Sequence, residues 1–435
     1  MYFMLSLKCC IITKIQKGFH IMDVLSLIVL VAAIAIAFAC KVNTGLVAIA
    51  LSLVIGRIAG LSDKWLLNSF DSSLFLMLFG VMYLFCIAQE NKTLELLAKK
   101  LLALCRGKLK LFPPLLFLIS AVLSAIGPGP ISVTALMSVL IVALATETGI
   151  HPVKLLPFGA LGAFAGGLSP ISPSGIVANS VAAESGIAGL AFPLLWQMAL
   201  AMSLYAAILY FVFKWHKQTD IAPARGATER IPAFSWKQWL TLAGIIAVAL
   251  LSTVLGVNVG LAAFAVSVLL TICRAADESA AFKKVPWGTL VMITGMGILI
   301  SLVTELKGIE LLSQGLSAFM SRYTATPLMT ILGGVMSWFS SASGVVMPTL
   351  IPTVPDISAT LSGLQPLELT VGLCIGAHAA AVSPLSSCGA LMLAAYSSSG
   401  NIDIKERNKA FTQLFVISAA GVLFCALLSF TGIYG

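Results

Sequence analysis

Apolar runs of about 20 residues recur along nearly the whole chain, more than any water-facing core can hide. Inside a bilayer every backbone polar group must be satisfied internally, and runs of this length do so as helices. Hydrophobic residues make up 59% of the 435 and charged residues only 10%, against about 25% charged in soluble domains. The chain therefore reads as an all-α polytopic membrane protein, placed in the cell inner membrane. Its net charge of +9 does not ask for nucleic acid, because the basic residues sit in short connections between spans. Membrane lipid is the partner this composition implies. The nine cysteines are single apart from Cys9-Cys10, with no CxxC pair and no His/Cys cluster. Neither a zinc site nor a disulfide framework is indicated, and no cofactor is expected.

Two stretches interrupt the apolar runs in the same way. Ser169–Gly175 reads Ser-Pro-Ile-Ser-Pro-Ser-Gly, and Ser383–Gly389 reads Ser-Pro-Leu-Ser-Ser-Cys-Gly. Proline and glycine break helices, and serine brings hydroxyls where the surroundings offer none. Polar breaks at matching places in two halves point to a transporter's binding site.

Spans are expected at about 23–41, 44–61 and 73–89, then an amphipathic segment at 92–106. Apolar pieces 111–126 and 131–146, joined by Gly127-Pro128-Gly129-Pro130, read as a re-entrant hairpin. The first break interrupts 153–183, and a span follows at 190–213. The order then repeats: spans at 238–255, 258–274 and 287–304, an amphipathic segment at 308–320, and a hairpin over 325–360 with its tip near Ser340–Gly344. The second break interrupts 367–399, and the last span is 410–432. The division is thus residues 1–21 as an N-terminal extension ahead of a start at Met22, 22–214 as the first repeat, 215–236 as a cytoplasmic linker, and 237–435 as the second repeat.

The duplication shows residue by residue. Met77, Gly80, Glu90, Lys92, Glu95, Leu96 and Leu97 recur 215 positions later as Met292, Gly295, Glu305, Lys307, Glu310, Leu311 and Leu312. Gly162, Ala163, Ala165, Ser169, Pro170, Ser172 and Gly175 recur 214 later as Gly376, Ala377, Ala379, Ser383, Pro384, Ser386 and Gly389. Each repeat has five crossings plus a hairpin, an odd number, so the second is expected to be inverted in the membrane. The orientation that places 19 of the 26 Lys and Arg in cytoplasmic loops puts both termini outside.

A broken helix offers amides at one stub and carbonyls at the other, suited to an anion and a cation respectively. No acidic or basic residue lies at mid-span near the breaks; Glu147, Glu184 and Arg57 sit at segment ends. This argues against a proton pump or antiporter built on a carboxylate relay. Each feature has a plainer reading. The Gly/Pro tip serves as an ordinary exposed turn, and a Ser-Pro in a membrane helix serves as a kink with its hydroxyl bonded to its own backbone. His378 serves a structural bond or the pocket, and its repeat mate is Phe164. An intramembrane serine protease is a rival, with Ser174 or Ser343 beside glycine and His378 as base. A passive channel is another.

The stretch from Ser72 to Gly186, with FGVMYLFCIAQENKTLELLAKKLL and GGLSPISPSGIVAN, resembles the MatC-type malonate/dicarboxylate carriers. Over residues 23–433 the layout is similar to the ion-transporter superfamily that includes the divalent-anion/sodium symporters. The resemblance implies a homodimer whose transport part, two hairpins and two broken helices, carries substrate with Na+ across the membrane like an elevator. The symporters' Ser-Asn-Thr tips correspond here to Gly127–Ser132 and Ser341–Ser343, which lack that signature. By position, the resemblance assigns substrate contact to Gly129, Ser132, Thr134, Ser172, Ser174, Ser343, Gly344, Ser386 and Ser387. It assigns any cation to backbone carbonyls near Gly127, Ser169, Ser340 and Ser383, with His378 as a further pocket residue. The expected function is secondary active transport of a small organic anion, a dicarboxylate such as malonate or a C4 acid. Another anion, or an ion antiporter of the same superfamily, is the alternative within transport.

Overall fold

The computed structural model describes residues 2–102, 108–218, 232–361, 363–397 and 402–435, and every regular element among them is helical. The polytopic all-α expectation is borne out. Ten helices make the first half: α1 (Tyr2–Cys40), α2 (Thr44–Ile58), α3 (Asp63–Asn68), α4 (Ser72–Glu90), α5 (Thr93–Leu102), α6 (Phe112–Ala125), α7 (Gly129–Thr148), α8 (Leu156–Gly167), α9 (Pro173–Glu184) and α10 (Ala191–Val212). Ten more follow: α11 (Trp236–Leu255), α12 (Val259–Ile272), α13 (Glu278–Lys284), α14 (Trp287–Glu305), α15 (Gly308–Ser317), α16 (Ala325–Phe339), α17 (Ala342–Thr360), α18 (Pro366–Ala379), α19 (Ser387–Ser397) and α20 (Ile404–Ser429). Parts of the segments expected at 92–106, 214–237 and 367–399 lie outside the described residues. Helix α1 runs unbroken through Met22.

Local chemistry explains the boundaries, and it recurs between halves. Asn43 caps α2 by accepting from the Gly45 amide at 2.9 Å, and Asn258 caps α12 by accepting from the Gly260 amide at 3.0 Å. Asp71 caps α4 through the Leu74 amide, and Ser235 with Gln238 forms a capping box ahead of α11. Helix α5 buries Leu94 and Leu96 and pairs Glu95 with Lys99 at 2.7 Å on its outer side, the amphipathic pattern expected there.

Packing is reciprocal. Helix α4 lies on α12, and α14 lies on α2; α6 packs on α8, and α16 on α18. Helix α7 meets α19, and α17 meets α9. At the α4–α12 crossing a Cβ on Gly80 would overlap the Gly260 carbonyl oxygen; at the α14–α2 crossing one on Gly295 would overlap the Gly45 carbonyl. Only glycine lets the backbones come this close, and lipid offers no hydrophobic force to substitute for that contact. The halves are interleaved through the same residue pair used twice.

Exposure sorts helices by role. Val31, Phe211 and Ile272 stand 64%, 61% and 72% exposed, as lipid-facing side chains do. In contrast, 94% of the apolar stretch within Pro366–Ser397 is buried, against 28% within Ile21–Cys40. The second broken helix is thus surrounded by protein. Among the described residues seven helices are long and apolar enough to cross a membrane, and α16 and α17 form one more apolar pair bent by 117° at the expected serine-rich tip.

The crossings give a test. Gly80→Ala and Gly295→Ala should each lower thermal stability in detergent by about 1–3 kcal/mol. Gly297→Ala, on the same helix but with open space around it, should leave stability unchanged or slightly raised.

Candidate functional site

The two breaks are one hydrogen-bonded device built twice. In the first, α8 stops at Gly167 and α9 starts at Pro173, whose missing N–H costs nothing at a helix start. Ser169 Oγ accepts from the Ile171 amide, and the Ser172 amide donates to the Ser169 carbonyl at 2.9 Å. Ser172 Oγ donates to the Gly167 carbonyl at 2.7 Å. In the second, Ser383 Oγ accepts from the Leu385 amide at 3.2 Å, the Ser386 amide donates to the Ser383 carbonyl at 2.9 Å, and Ser386 Oγ donates to the Ala381 carbonyl at 2.6 Å. A Cβ on Gly175 would collide with the Ser169 carbonyl, and one on Gly389 with the Ser383 carbonyl. Proline and serine at these spacings turn the chain and satisfy the carbonyls that the break strands.

That arrangement decides which groups remain for a ligand. Ser172 and Ser386 are buried and give their hydroxyl hydrogens to backbone, so they shape the loop. At the start of α9 the first amide to find an acceptor is that of Ile176; at α19 it is that of Ala390. The amides of Ser174 and Gly175, and of Ser387, Cys388 and Gly389, thus have no acceptor within their helices. Each helix start carries about half a positive charge.

Both starts face one cavity of about 30 Å³, room for about two waters. Ser174 from the first break and Ser386, Ser387 and Cys388 from the second line it. The second hairpin tip adds Ser340, Ser341, Ala342 and Ser343, the first adds Pro130 and Ile131, and Phe164, Ser337, His378 and Ala381 complete it. Ser174 Oγ lies 3.4 Å from Ser343 Oγ, joining a break of the first half to a tip of the second. Beyond that pair lies a second cavity of about 50 Å³, lined by Gly129, Ser132, Met82, Thr289 and Ile293 among others. Among the described residues, no Asp, Glu, Lys or Arg lines either cavity. Among the described residues no three His, Cys, Asp or Glu side chains gather as a metal site would need.

Of the residues singled out in the sequence, Ser174, Ser340, Ser343, His378, Ser386 and Ser387 come together in the first cavity, and Gly129 and Ser132 in the adjoining one. Thr134 is buried, and its hydroxyl has no hydrogen-bond partner among the described residues. Gly344 packs on Met292, and Gly127 on the Phe85 ring. Ser169 and Ser383 lie behind the lining, their carbonyls already accepting the amides named above. Ser340 Oγ is bonded to the Met336 carbonyl.

Sequence reading passes over Ser337, Ser341, Phe164 and Cys388. Ser337 Oγ is buried with no hydrogen-bond partner among the described residues, a property that an isolated serine in an apolar helix does not advertise. Cys388 does carry a signal, since it stands 214 positions after Ser174. Phe164 and His378 are repeat mates too; both line the cavity, and their rings meet edge to face, 6.1 Å between centroids. For the protease reading a serine must be bonded to the histidine. Among the described residues none is; Ser174 and Ser343 bond each other, and His378 Nδ1 bonds the Cys374 carbonyl.

Comparison with known proteins bears on the same point. Residues 20–167 match the family model of the dicarboxylate carrier protein MatC N-terminus. No curated protein matches the sequence. The fold is shared with the YdaH transporter of Alcanivorax borkumensis, at a TM-score of 0.59 and 14% identity over 85% of this chain and 87% of that one. It is shared also with MtrF of Neisseria gonorrhoeae, described with a class of antimetabolite efflux pumps, at 0.58 and 14% over 86% and 83%. The resemblance to MatC-type carriers is thus supported over residues 20–167. The matched family and both structural relatives are transporters, which supports transport and not enzymatic catalysis.

Ser172→Ala and Ser386→Ala should each destabilise the protein by about 1–3 kcal/mol, because a buried carbonyl loses its donor. Ser172→Thr, which keeps the hydroxyl, should recover most of the loss in the same thermal melt.

Proposed function

We propose that this protein is a secondary active transporter of a small organic anion, a dicarboxylate such as malonate or a C4 acid, in the cell inner membrane. One observation carries the reading. Two helix starts from different halves converge on one hydroxyl-lined cavity with no fixed charge around it among the described residues. Hydroxyls and amides can replace the water of a carboxylate without neutralising it permanently, so the anion can also leave. A fixed lysine or arginine would hold it more tightly than turnover allows. The MatC N-terminal match supports a dicarboxylate in particular.

In this reading the two halves lie inverted in the membrane, and the hairpins and broken helices move together between its faces. The protein works as a homodimer, as the resembling symporters do. Reciprocal packing of α4 on α12 and α14 on α2 supports a pair of equivalent halves that enclose the site. Two helix starts supply about one positive charge in total. A dianion leaves one negative charge over, and burying it unbalanced would cost several kcal/mol. A co-transported cation, Na+ or a proton, balances it.

Purified protein in proteoliposomes should take up radiolabelled malonate or succinate saturably, with acetate competing poorly. Ser337→Ala should weaken that uptake by about tenfold and leave the melting temperature unchanged, since among the described residues its hydroxyl has no partner to lose. Absence of saturable dicarboxylate uptake under imposed sodium and proton gradients would overturn the reading.

A further inference from the structure

We infer that His378 is the proton-binding group of the cavity, so that a dicarboxylate is carried together with one proton held on the imidazole Nε2. The inference rests on the anion-transport reading and names its coupling ion.

The geometry fixes the tautomer. His378 Nδ1 lies 2.9 Å from the Cys374 carbonyl, one helical turn back. A carbonyl only accepts, so Nδ1 carries the hydrogen and the neutral ring leaves a lone pair on Nε2. Among the described residues no group bonds Nε2, and the ring lines the cavity together with Ser174, Ser337 and Ser343. A histidine kept only for packing would spend both nitrogens or bury the second in apolar contact. Here the second nitrogen belongs to a side chain that shares its cavity with the partnerless hydroxyl of Ser337. Protonation changes Nε2 from acceptor to charged donor, and nothing else has to move.

The surroundings leave the titration to this one group. The cavity's other ionisable side chain is Cys388. Helices α8 and α16, packed against α18, contain no ionisable residue. Helix α10 contributes Tyr205, bonded to the Ile417 carbonyl, and Tyr210. Helix α17 has Asp356, which accepts from Ser313. Helix α20 carries Lys405, Glu406, Arg407 and Lys409 in its first turns, and Cys425 near its far end. None of these lines the cavity. With two helix starts supplying about one positive charge, an imidazolium supplies the second that a dianion needs. When the neutral ring returns, the balance is lost and the anion is released.

Two substitutions separate this role from a structural one. His378→Asn keeps an amide N–H near the position of Nδ1, so the bond to Cys374 can persist while the second ring nitrogen is lost. His378→Gln extends an amide toward the cavity but takes up no proton. Malonate uptake and internal pH are measured in proteoliposomes, with pyranine as the pH reporter. Wild-type uptake should rise about fivefold or more as pH falls from about 8 to about 6, with one proton entering per malonate. Both variants should melt like wild type, take up malonate about tenfold more slowly at the lower pH, and lose the pH dependence. Free malonate titrates identically beside every variant, so its own protonation cannot mimic the difference. An Asn variant that keeps wild-type pH dependence and proton entry would overturn the inference. If wild-type protein moves no dicarboxylate, the transport reading fails by itself. Nitrogen-15 NMR of His378 in nanodiscs then decides the proton site separately: Nε2 should titrate while Nδ1 stays protonated, and an Nε2 that never takes up a proton ends the proposal.

Discussion

A carbonyl stranded in the middle of a membrane helix has no water to turn to, and this protein meets that constraint with a serine hydroxyl five residues on. Ser172 bonds Gly167 and Ser386 bonds Ala381. Because those bonds absorb the carbonyl end of each break, the amide end remains open without the loop falling apart. The cavity exists because one side of each break is satisfied internally and the other is not. The Ser-Pro pairs are therefore more than kinks, even though their second serines do what a kink serine does.

The interleaved halves turn two such breaks into one site. Glycine crossings at Gly80–Gly260 and Gly45–Gly295 hold α4 and α14 each against the other half. Helices α7 and α17 then bring each hairpin tip beside the opposite break. The contact between Ser174 and Ser343 is the point where this exchange closes. A single repeat would present a polar break to lipid; two present their breaks to each other.

Much of this was legible in the sequence because the membrane imposes strong rules on length and periodicity. The two apolar pieces expected at 111–126 and 131–146 form the helices α6 and α7, and the Ser340–Gly344 tip is where α16 and α17 bend. The matching 214-residue spacing announced twin breaks, and their hydrogen bonds repeat atom for atom. What could not be read was partnership. A serine that donates to its own backbone and one that faces a cavity have the same letter, so Ser172 and Ser174 were indistinguishable. Ser337 looked like any small hydroxyl in an apolar helix, and its significance is the partner it lacks. The pairing of Phe164 with His378 was visible as a spacing. Unlike side chains stand at the matched positions, and the fold brings their rings edge to face beside one cavity.

That pairing shows why a duplicated site need not be a symmetric one. Two identical helix starts would bind the two ends of a symmetric dianion equally, with about one unit of positive charge for two of negative. Replacing one wall by an aromatic ring and the other by an imidazole breaks the tie at the level of side chains while leaving the backbone symmetric. The backbone can then be shared by many anions, since amides and hydroxyls recognise a carboxylate in general. In the proposed transport, selectivity and coupling would fall to positions where the halves differ, such as Phe164 against His378 and Ser174 against Cys388. Symmetry builds the cradle, and under the proposed transport the departures from symmetry are what would set its occupant and the cation that comes along.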